Sequence, residues 1–322
     1  MAKLENYLNT INENLKIHGI KKILESLDKT KIKKFERRFP KSTFYYWISG
    51  RSPIPIKILK HIIKDRETWD NVFNTFTFLS TGSKMCKLPR EINLDLAYLI
   101  GVIHGDGSVS KDLQYVTITT EGKDYLEEIN KLFESIFDLT GQINVLNKRG
   151  TCYRLTIGSK TVHSFLSHFC PVGRKKNKLS IPKVILDNND LLKHYLAGLF
   201  DTDGSFPHTE KGVKSRFFLF TQSSVNFVEE IYEALKKLQI PVNKPRPFLS
   251  TNSPYDRRRQ LIESRIYLGS GESLKTLIQI IPFRHKIKKS RALCVMNSLN
   301  GSARIRTGVT ATSTRCPLRN ST

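Results

Sequence analysis

The feature that most constrains this chain is a ten-residue segment that occurs twice, 97 residues apart: LIGVIHGDGS from Leu99 and LAGLFDTDGS from Leu196. The stretches downstream of the two copies also match. A strand pair leads to an amphipathic helix (KDYLEEINKLFESI from Lys123; VNFVEEIYEALKKL from Val225). A second strand pair and a shorter helix come next (VHSFLSHF from Val162; ESLKTLIQII from Glu272). A basic run closes each copy (GRKKNK from Gly173; RHKIKKSR from Arg284). Solenoid units run to about 20–45 residues, so this period is too long for one. It implies a duplicated half-domain with pseudo-twofold symmetry.

From Glu91 to about Asn297, helical patterns alternate with β-branched, alternating runs: YVTITT, QINVLN, CYRLTIG, RFFLFTQ, PVNKPRPFL and RQLIESRIYLG. The expected fold is α+β, with one αββαββα unit over residues 91–187 and a second over 188–297. Residues 1–88 show helical periodicity only, in NYLNTINENLKIHGI, KKILESL, KIKKFERRF and IPIKILKHIIKD, which predicts an all-α N-terminal domain. TGSKMCKLPRE, from Thr81, reads as the linker. Residues 298–322, rich in Ser, Thr, Gly and Arg, read as a disordered tail.

Each repeated segment is an apolar helix that ends in Asp-Gly-Ser. Gly101 and Gly105 lie on one helix face, and Ala197, Gly198 and Thr202 do similar work in the second copy. Small residues on one face let two helix backbones approach closely, so the two motif helices are expected to pack on each other. Gly107 and Gly204 are expected to stop the helices in the left-handed conformation. That packing sets Asp106 beside Asp203 at two helix C-termini. Each such end carries about half a negative charge, and the carboxylates repel each other. Divalent cations supply the missing compensation, and hard oxygen ligands suit Mg²⁺ or Mn²⁺. A single Asp-Gly at a helix end is an ordinary turn; the duplication makes the pair a candidate two-metal site.

The 53 Lys+Arg against 29 Asp+Glu leave a net charge of +24, which implies a polyanionic partner, and nucleic acid fits best. No stretch is long and apolar enough to span a bilayer, and MAKLENYLNT lacks a secretory h-region, so an intracellular, unsecreted protein with no membrane partner is expected. The five cysteines are odd in number and form no CxxC, which signals neither a disulfide framework nor a zinc ribbon and suits a reducing compartment. His163, His168 and Cys170 lie close in sequence, but a helix face ending at a turn explains them more simply than a metal site.

The two segments resemble the motifs of the LAGLIDADG homing endonucleases in their single-chain, two-motif form. LAGLFDTDG differs from the namesake at two positions; LIGVIHGDG is looser, with His104 where the name has Asp. The resemblance covers about residues 91–297. It implies saddle-shaped sheets lying over double-stranded DNA, and a monomer with internal pseudo-twofold symmetry. It implies that Asp106 and Asp203 bind the catalytic metal, assisted by the preceding carbonyls of Gly105 and Thr202. Gln222 matches a strand-end Gln that positions water in the family, whereas the first half offers Thr120 or Glu121 there. The resemblance also places a lysine of each closing basic run by the scissile phosphate. Lys288 is preferred over Lys286 or Lys289, and Lys175 over Lys176. His104 is expected to pack at the interface edge, and Asp201 to be a helix-surface or capping residue rather than a ligand.

Polar residues on alternate strand positions suit a ribbon in the major groove, where most basic contacts go to phosphates. Candidates are Lys148, Arg149, Arg154, Lys244, Arg246, Arg257, Arg258 and Arg259. Binding should weaken with salt at a log–log slope of roughly 0.9 per neutralised phosphate. In the N-terminal part, KIKKFERRFPKSTFYYWISGRSPIPIKILKHI resembles a helix-turn-helix module. Ser42-Thr43 offers an N-cap, Phe44 and Trp47 offer a core, and Lys41, Tyr45, Tyr46, Arg51 and Ser52 are placed to face DNA. Three functions compete: a Mg²⁺-dependent, site-specific endonuclease, an RNA-binding intron maturase, and a DNA-binding regulator with a dead site. The presence of both motif acids disfavours the last. The ends lack the Cys or Ser start and His-Asn finish of protein splicing, so an intein is not expected.

Overall fold

The computed structural model describes residues 2–3, 15–26, 39–63, 72, 78–80, 85–111, 114–147, 150–175, 178–207, 216–250 and 261–306. Its centre is a pair of buried helices, α4 (Leu94–Gly105) and α8 (Asn189–Asp203). Each starts on an asparagine cap. The Asn93 side chain accepts the Leu96 N–H at 2.9 Å, and that of Asn188 accepts those of Asp190 and Leu191. Residues 96–104 of α4 are buried on every face, as a helix enclosed on all sides requires.

Each motif helix opens one copy of the same path. The first continues through β7 (Gly107–Val109), β8 (Tyr115–Thr120), α5 (Lys123–Phe137), β9 (Gln142–Val145), β10 (Tyr153–Gly158) and α6 (Lys160–Leu166). A short helix, α7 (Lys183–Leu186), joins the halves. The second runs through β11 (Gly204–Ser205), β12 (Phe218–Gln222), α9 (Val225–Lys237), β13 (Arg246–Ser250), β14 (Leu261–Leu268) and α10 (Gly271–Ile280). The antiparallel sheets have identical order, β7-β8-β10-β9 and β11-β12-β14-β13. This is the αββαββα duplication expected from the sequence. Each sheet buries one face, with Val116, Ile118, Leu155 and Ile157 in the first and Phe218, Phe220, Ile266 and Leu268 in the second. Helices α5 and α9 cover those faces with Leu126, Ile129 and Phe133 and with Phe227, Val228 and Ile231. The opposite face is open to solvent, with Thr117, Thr119 and Arg154 on the first sheet and Arg246, Arg265 and the exposed Tyr267 on the second.

Three expectations fail. The N-terminal part is not all-α. It holds a four-stranded antiparallel sheet of β2 (Lys16–His18), β3 (Ile54–Pro55), β4 (Phe78–Ser80) and β5 (Met85–Cys86) in the order β3-β2-β4-β5. Helices α1 (Lys21–Ser26), α2 (Lys41–Ile48) and α3 (Ile56–Ile62) accompany it. Strands of two or three residues are too short to show a period of two, which is why none was visible. The supposed linker contributes β5 to this sheet, and β1 (Ala2–Lys3) pairs with β6 (Glu91–Ile92), across the expected boundary. Thirdly, α11 (Lys286–Arg306) runs beyond residue 298, because Ala292, Val295 and Leu299 recur at helical spacing and pack inward.

Helix α2 begins after Pro40 and not at Ser42-Thr43, since a proline fits the turn before a helix and no side chain caps it. Cys86, Cys152 and Cys170 are free thiols, and Cys316 lies outside the described residues. His163 bonds the Ser110 carbonyl and His168 the Ser164 carbonyl, so with buried Cys170 they make no metal cluster. Among the described residues no helix is long and apolar enough to cross a membrane.

Candidate active site

The two motif helices touch backbone to backbone. A Cβ on Gly101 would overlap the Tyr195 carbonyl oxygen and lie 2.9 Å from the Leu199 nitrogen; a Cβ on Gly198 would overlap the Tyr98 carbonyl oxygen and lie 2.9 Å from the Val102 nitrogen. The pattern is the same contact seen from each side, which makes the seam an internal twofold. Gly105 closes it, because a Cβ there would strike Thr202 Oγ1 and sit 3.4 Å from Asp203 Oδ2. Gly107 and Gly204 do not adopt the left-handed conformation expected of them; Gly204 has φ −76°. Glycine is needed there for space. A Cβ on Gly107 would come within 2.5 Å of Ile103 Cα, and one on Gly204 within 2.5 Å of the Phe200 carbonyl oxygen.

This seam delivers Asp106 and Asp203 together, both half-buried, at the C-terminal ends of α4 and α8. Burial, then the neighbouring Asp203 carboxylate, push the Asp106 carboxyl up to about 6, against the pull of Lys175 and Lys288. Burial also pushes Asp203 upward, opposed by Lys175, by a hydrogen bond from Gln222 and by Lys288. Gln222 Nε2 donates to Asp203 Oδ2. The β-ladders show what replaces it in the first half. Gly107 pairs with Ile118 and Gly204 with Phe220, so Thr120 occupies the place of Gln222.

Two lysines complete the site. Lys175 Nζ donates to the carbonyls of His104 (3.0 Å) and Gly105 (2.5 Å). Lys288 Nζ donates to the carbonyls of Thr202 (3.2 Å) and Gly204. Burial lowers the pKa of both, and the motif carboxylates oppose that shift. Lys286 instead pairs with Glu128 at 3.0 Å, and Lys289 is exposed, so of the candidates in that run only Lys288 reaches the motif end. Lys176 lies outside the described residues.

The donor set fits a hard divalent cation. It offers two carboxylates and the carbonyls of Gly105 and Thr202, and on both carbonyls an ammonium group already stands as a cation. Among the described residues no cluster of three or more His, Cys, Asp or Glu forms a protein-only cage. Mg²⁺ is commonly held by one or two carboxylates with several waters, so two acids suffice.

The sequence profile of the LAGLIDADG-like domain matches residues 93–170 and 190–282, the two halves just described. The chain belongs to the LAGLIDADG-like domain family. It is 26% identical over 67% of its length to a glutamine–fructose-6-phosphate aminotransferase (isomerizing) of Methanocaldococcus jannaschii, but spans only 18% of that protein. Among solved structures it is similar to the homing endonuclease I-WcaI bound to its DNA recognition sequence (18% identity, TM-score 0.42, 62% of this chain and 85% of that one). It is also similar to the N-terminal LAGLIDADG domain of DUF199/WhiA (11% identity, TM-score 0.40, 61% and 84%).

On the outer sheet faces of this LAGLIDADG-like region, Arg154 stands between Asn144 and Thr119, and its Nε lies 3.4 Å from Thr119 Oγ1. The matched row in the second half is Thr221, Arg265 and Arg246. Arg265, exposed and stacked on Phe248 at 4.4 Å, was not singled out from sequence. The signal was present, since RLTIGS from Arg154 and RIYLGS from Arg265 repeat one pattern. Lys244 pairs with Glu229 of α9 at 3.4 Å, toward the helices that back the sheet. Lys148, Arg149, Arg257, Arg258 and Arg259 lie outside the described residues. In the N-terminal part, Lys41 and Tyr45 are exposed on α2, and the exposed Arg51 guanidinium stacks over the Tyr45 ring at 5.6 Å.

His104 is fully buried rather than at an interface edge, and Asp201 is buried rather than on a helix surface. Both are held by tyrosines of the opposite motif helix. The sequence placed these residues beside the site but gave no hint of partners some 90 to 100 residues away.

Proposed function

We propose that this chain is a metal-dependent endonuclease that cuts double-stranded DNA at a specific site. The observation that carries this reading is the meeting of Asp106 and Asp203, one from each half, at two abutting helix ends, where burial and the Asp203 carboxylate raise Asp106 in spite of Lys175 and Lys288. Asp106 and Asp203, with the Gly105 and Thr202 carbonyls, would hold Mg²⁺ or Mn²⁺. When bound, the metal supplies an activated water and stabilises the leaving oxygen. Gln222 fixes the Asp203 carboxylate through its amide N–H and keeps its own carbonyl free to accept a hydrogen bond from water. Lys175 and Lys288 bring positive charge to the level of the carboxylates, where a phosphate would otherwise meet only acids. A single chain suffices, because both acids are its own.

The two outer sheet faces, with Arg154, Arg246 and Arg265, would lie along the groove, and Lys41, Tyr45 and Arg51 would contact DNA beside the main site. The test is incubation with Mg²⁺ and a DNA library containing the flanking sequence of the chain's own gene, followed by sequencing of the ends. Paired, staggered cuts are expected, lost in Asp106→Asn and Asp203→Asn while DNA binding persists. Normal cutting by both variants would overturn the assignment.

A further inference from the structure

The seam carries a second, deeper layer of polar contacts that the proposed chemistry does not use. Tyr98, on α4, donates its hydroxyl to Asp201 Oδ2 of the second motif at 2.7 Å. The same oxygen accepts the backbone N–H groups of Arg284 (2.7 Å) and His285 (2.9 Å), immediately before α11, whose first turn bears Lys288. The other half repeats the arrangement. Tyr195, on α8, bonds through its hydroxyl to His104 Nδ1 at 2.7 Å, and His104 Nε2 lies 2.9 Å from the Phe169 carbonyl, in the segment that leads to Lys175. All four side chains are buried.

The His-for-Asp exchange follows the polarity of the partner. Arg284 and His285 present N–H donors, so the motif position must accept, and a carboxylate does. Phe169 presents a carbonyl, which can only accept, so the motif position must donate. His104 therefore carries its proton on Nε2 and accepts the Tyr195 hydroxyl at Nδ1. The departure of LIGVIHGDG from the namesake is a matched pair and not a decayed motif.

We propose that Tyr98 and Tyr195 are positioning residues in two crossed clamps, each of which holds the lysine of the opposite half against its motif carbonyl. Tyr98 of the first half governs Lys288 through Asp201; Tyr195 of the second half governs Lys175 through His104. Each half thereby controls the lysine the other uses, which couples the two cuts. The catalytic consequence rests on the endonuclease reading; the positioning does not.

Tyr98→Phe and Tyr195→Phe remove one hydroxyl each and keep both rings in place, including Tyr98's stack under Arg284 at 4.4 Å. Acetylation of the metal-free protein with a lysine-reactive ester, read by mass spectrometry, tests the positioning. Tyr98→Phe should raise labelling of Lys288 about fivefold, the population change expected from one lost hydrogen bond, and leave Lys175 unchanged. Tyr195→Phe should do the reverse. Asp201→Asn, which keeps an accepting oxygen, should protect Lys288 better than Asp201→Leu. Equal labelling changes at both lysines, or none, would overturn the proposal, since a merely structural tyrosine loosens the whole seam. Strand-resolved cleavage of the target separates the second claim: the two variants should accumulate nicks on opposite strands. If wild type cuts and both variants keep its strand ratio, the clamps do not couple the cuts. If labelling is lysine-specific and wild type does not cut, the clamps stand and the endonuclease reading falls.

Discussion

The first and second halves of the LAGLIDADG-like region agree wherever backbone meets backbone and differ where side chains choose partners. Strand order, the glycine contacts of Gly101 and Gly198, and one lysine contact, Lys175 to the Gly105 carbonyl and Lys288 to that of Thr202, are the same in both. Thr120 faces Gln222, and His104 faces Asp201, across the pseudo-twofold. The second half also holds its anchor more firmly. Arg284 stacks on Tyr98 and reaches Asp95 at 2.7 Å, and Tyr125 bonds Tyr98 at 3.0 Å. Close approach of two backbones admits one solution, a residue with no side chain. A hydrogen bond admits any pair in which one member donates and the other accepts. Duplicated halves can therefore drift at polar positions while their glycines stay fixed.

The comparison breaks first at the acids. Asp106→Asn and Asp203→Asn should each lower cleavage at least about a thousandfold with DNA affinity changed only a few-fold. Retained cutting by one variant, measured under single-turnover conditions, would show that the halves do not share one centre. The seam comes next. Gly101→Val and Gly198→Val should each destabilise the fold by at least about 3 kcal/mol in chemical denaturation, because the neighbour is backbone and cannot yield. A large difference between the two would deny the internal twofold.

Asymmetry should then show at the water-side position. Gln222→Ala should lower cleavage about 10- to 100-fold and Thr120→Ala under about threefold, by comparison with the loss of groups that orient metal ligands. Equal losses would mean that Thr120 does the work of Gln222. Asp106, raised to about 6, adds a pH signature. Its folded pKa lies above the ordinary carboxylate value. Its contribution to metal-free stability is therefore full below pH ~4 and lost as the pH rises through about 6. Metal needs the ionised form, so Mg²⁺ affinity followed by calorimetry should fall about tenfold per unit below pH ~6. A flat profile from pH 5 to 7 would place the cation elsewhere. The smallest effect is on the sheets. Arg154→Ala and Arg265→Ala should each weaken DNA binding by about 1 kcal/mol and reduce the salt slope by about one. An effect from one arginine alone would confine the DNA to one sheet.

Much of this molecule could be read from its sequence. The repeat fixed the duplicated fold, the two acids and the small-residue faces, because those follow from local periodicity and spacing. Lys175 and Lys288 were chosen by likeness to a family, and each reaches a carbonyl at the end of its own half's motif helix. The short N-terminal strands escaped because a strand of two residues has no period. Arg265 escaped although its pattern repeats that of Arg154. Gly107 and Gly204 were recognised as necessary for the wrong reason, since crowding by Ile103 Cα and by the Phe200 carbonyl is invisible in one dimension. Tertiary structure alone decided the partners of His104 and Asp201. Whether a buried side chain must donate or accept is set by the group that folding brings against it. Here those groups are the Phe169 carbonyl, the Arg284 and His285 amides, and two tyrosines from the opposite helix.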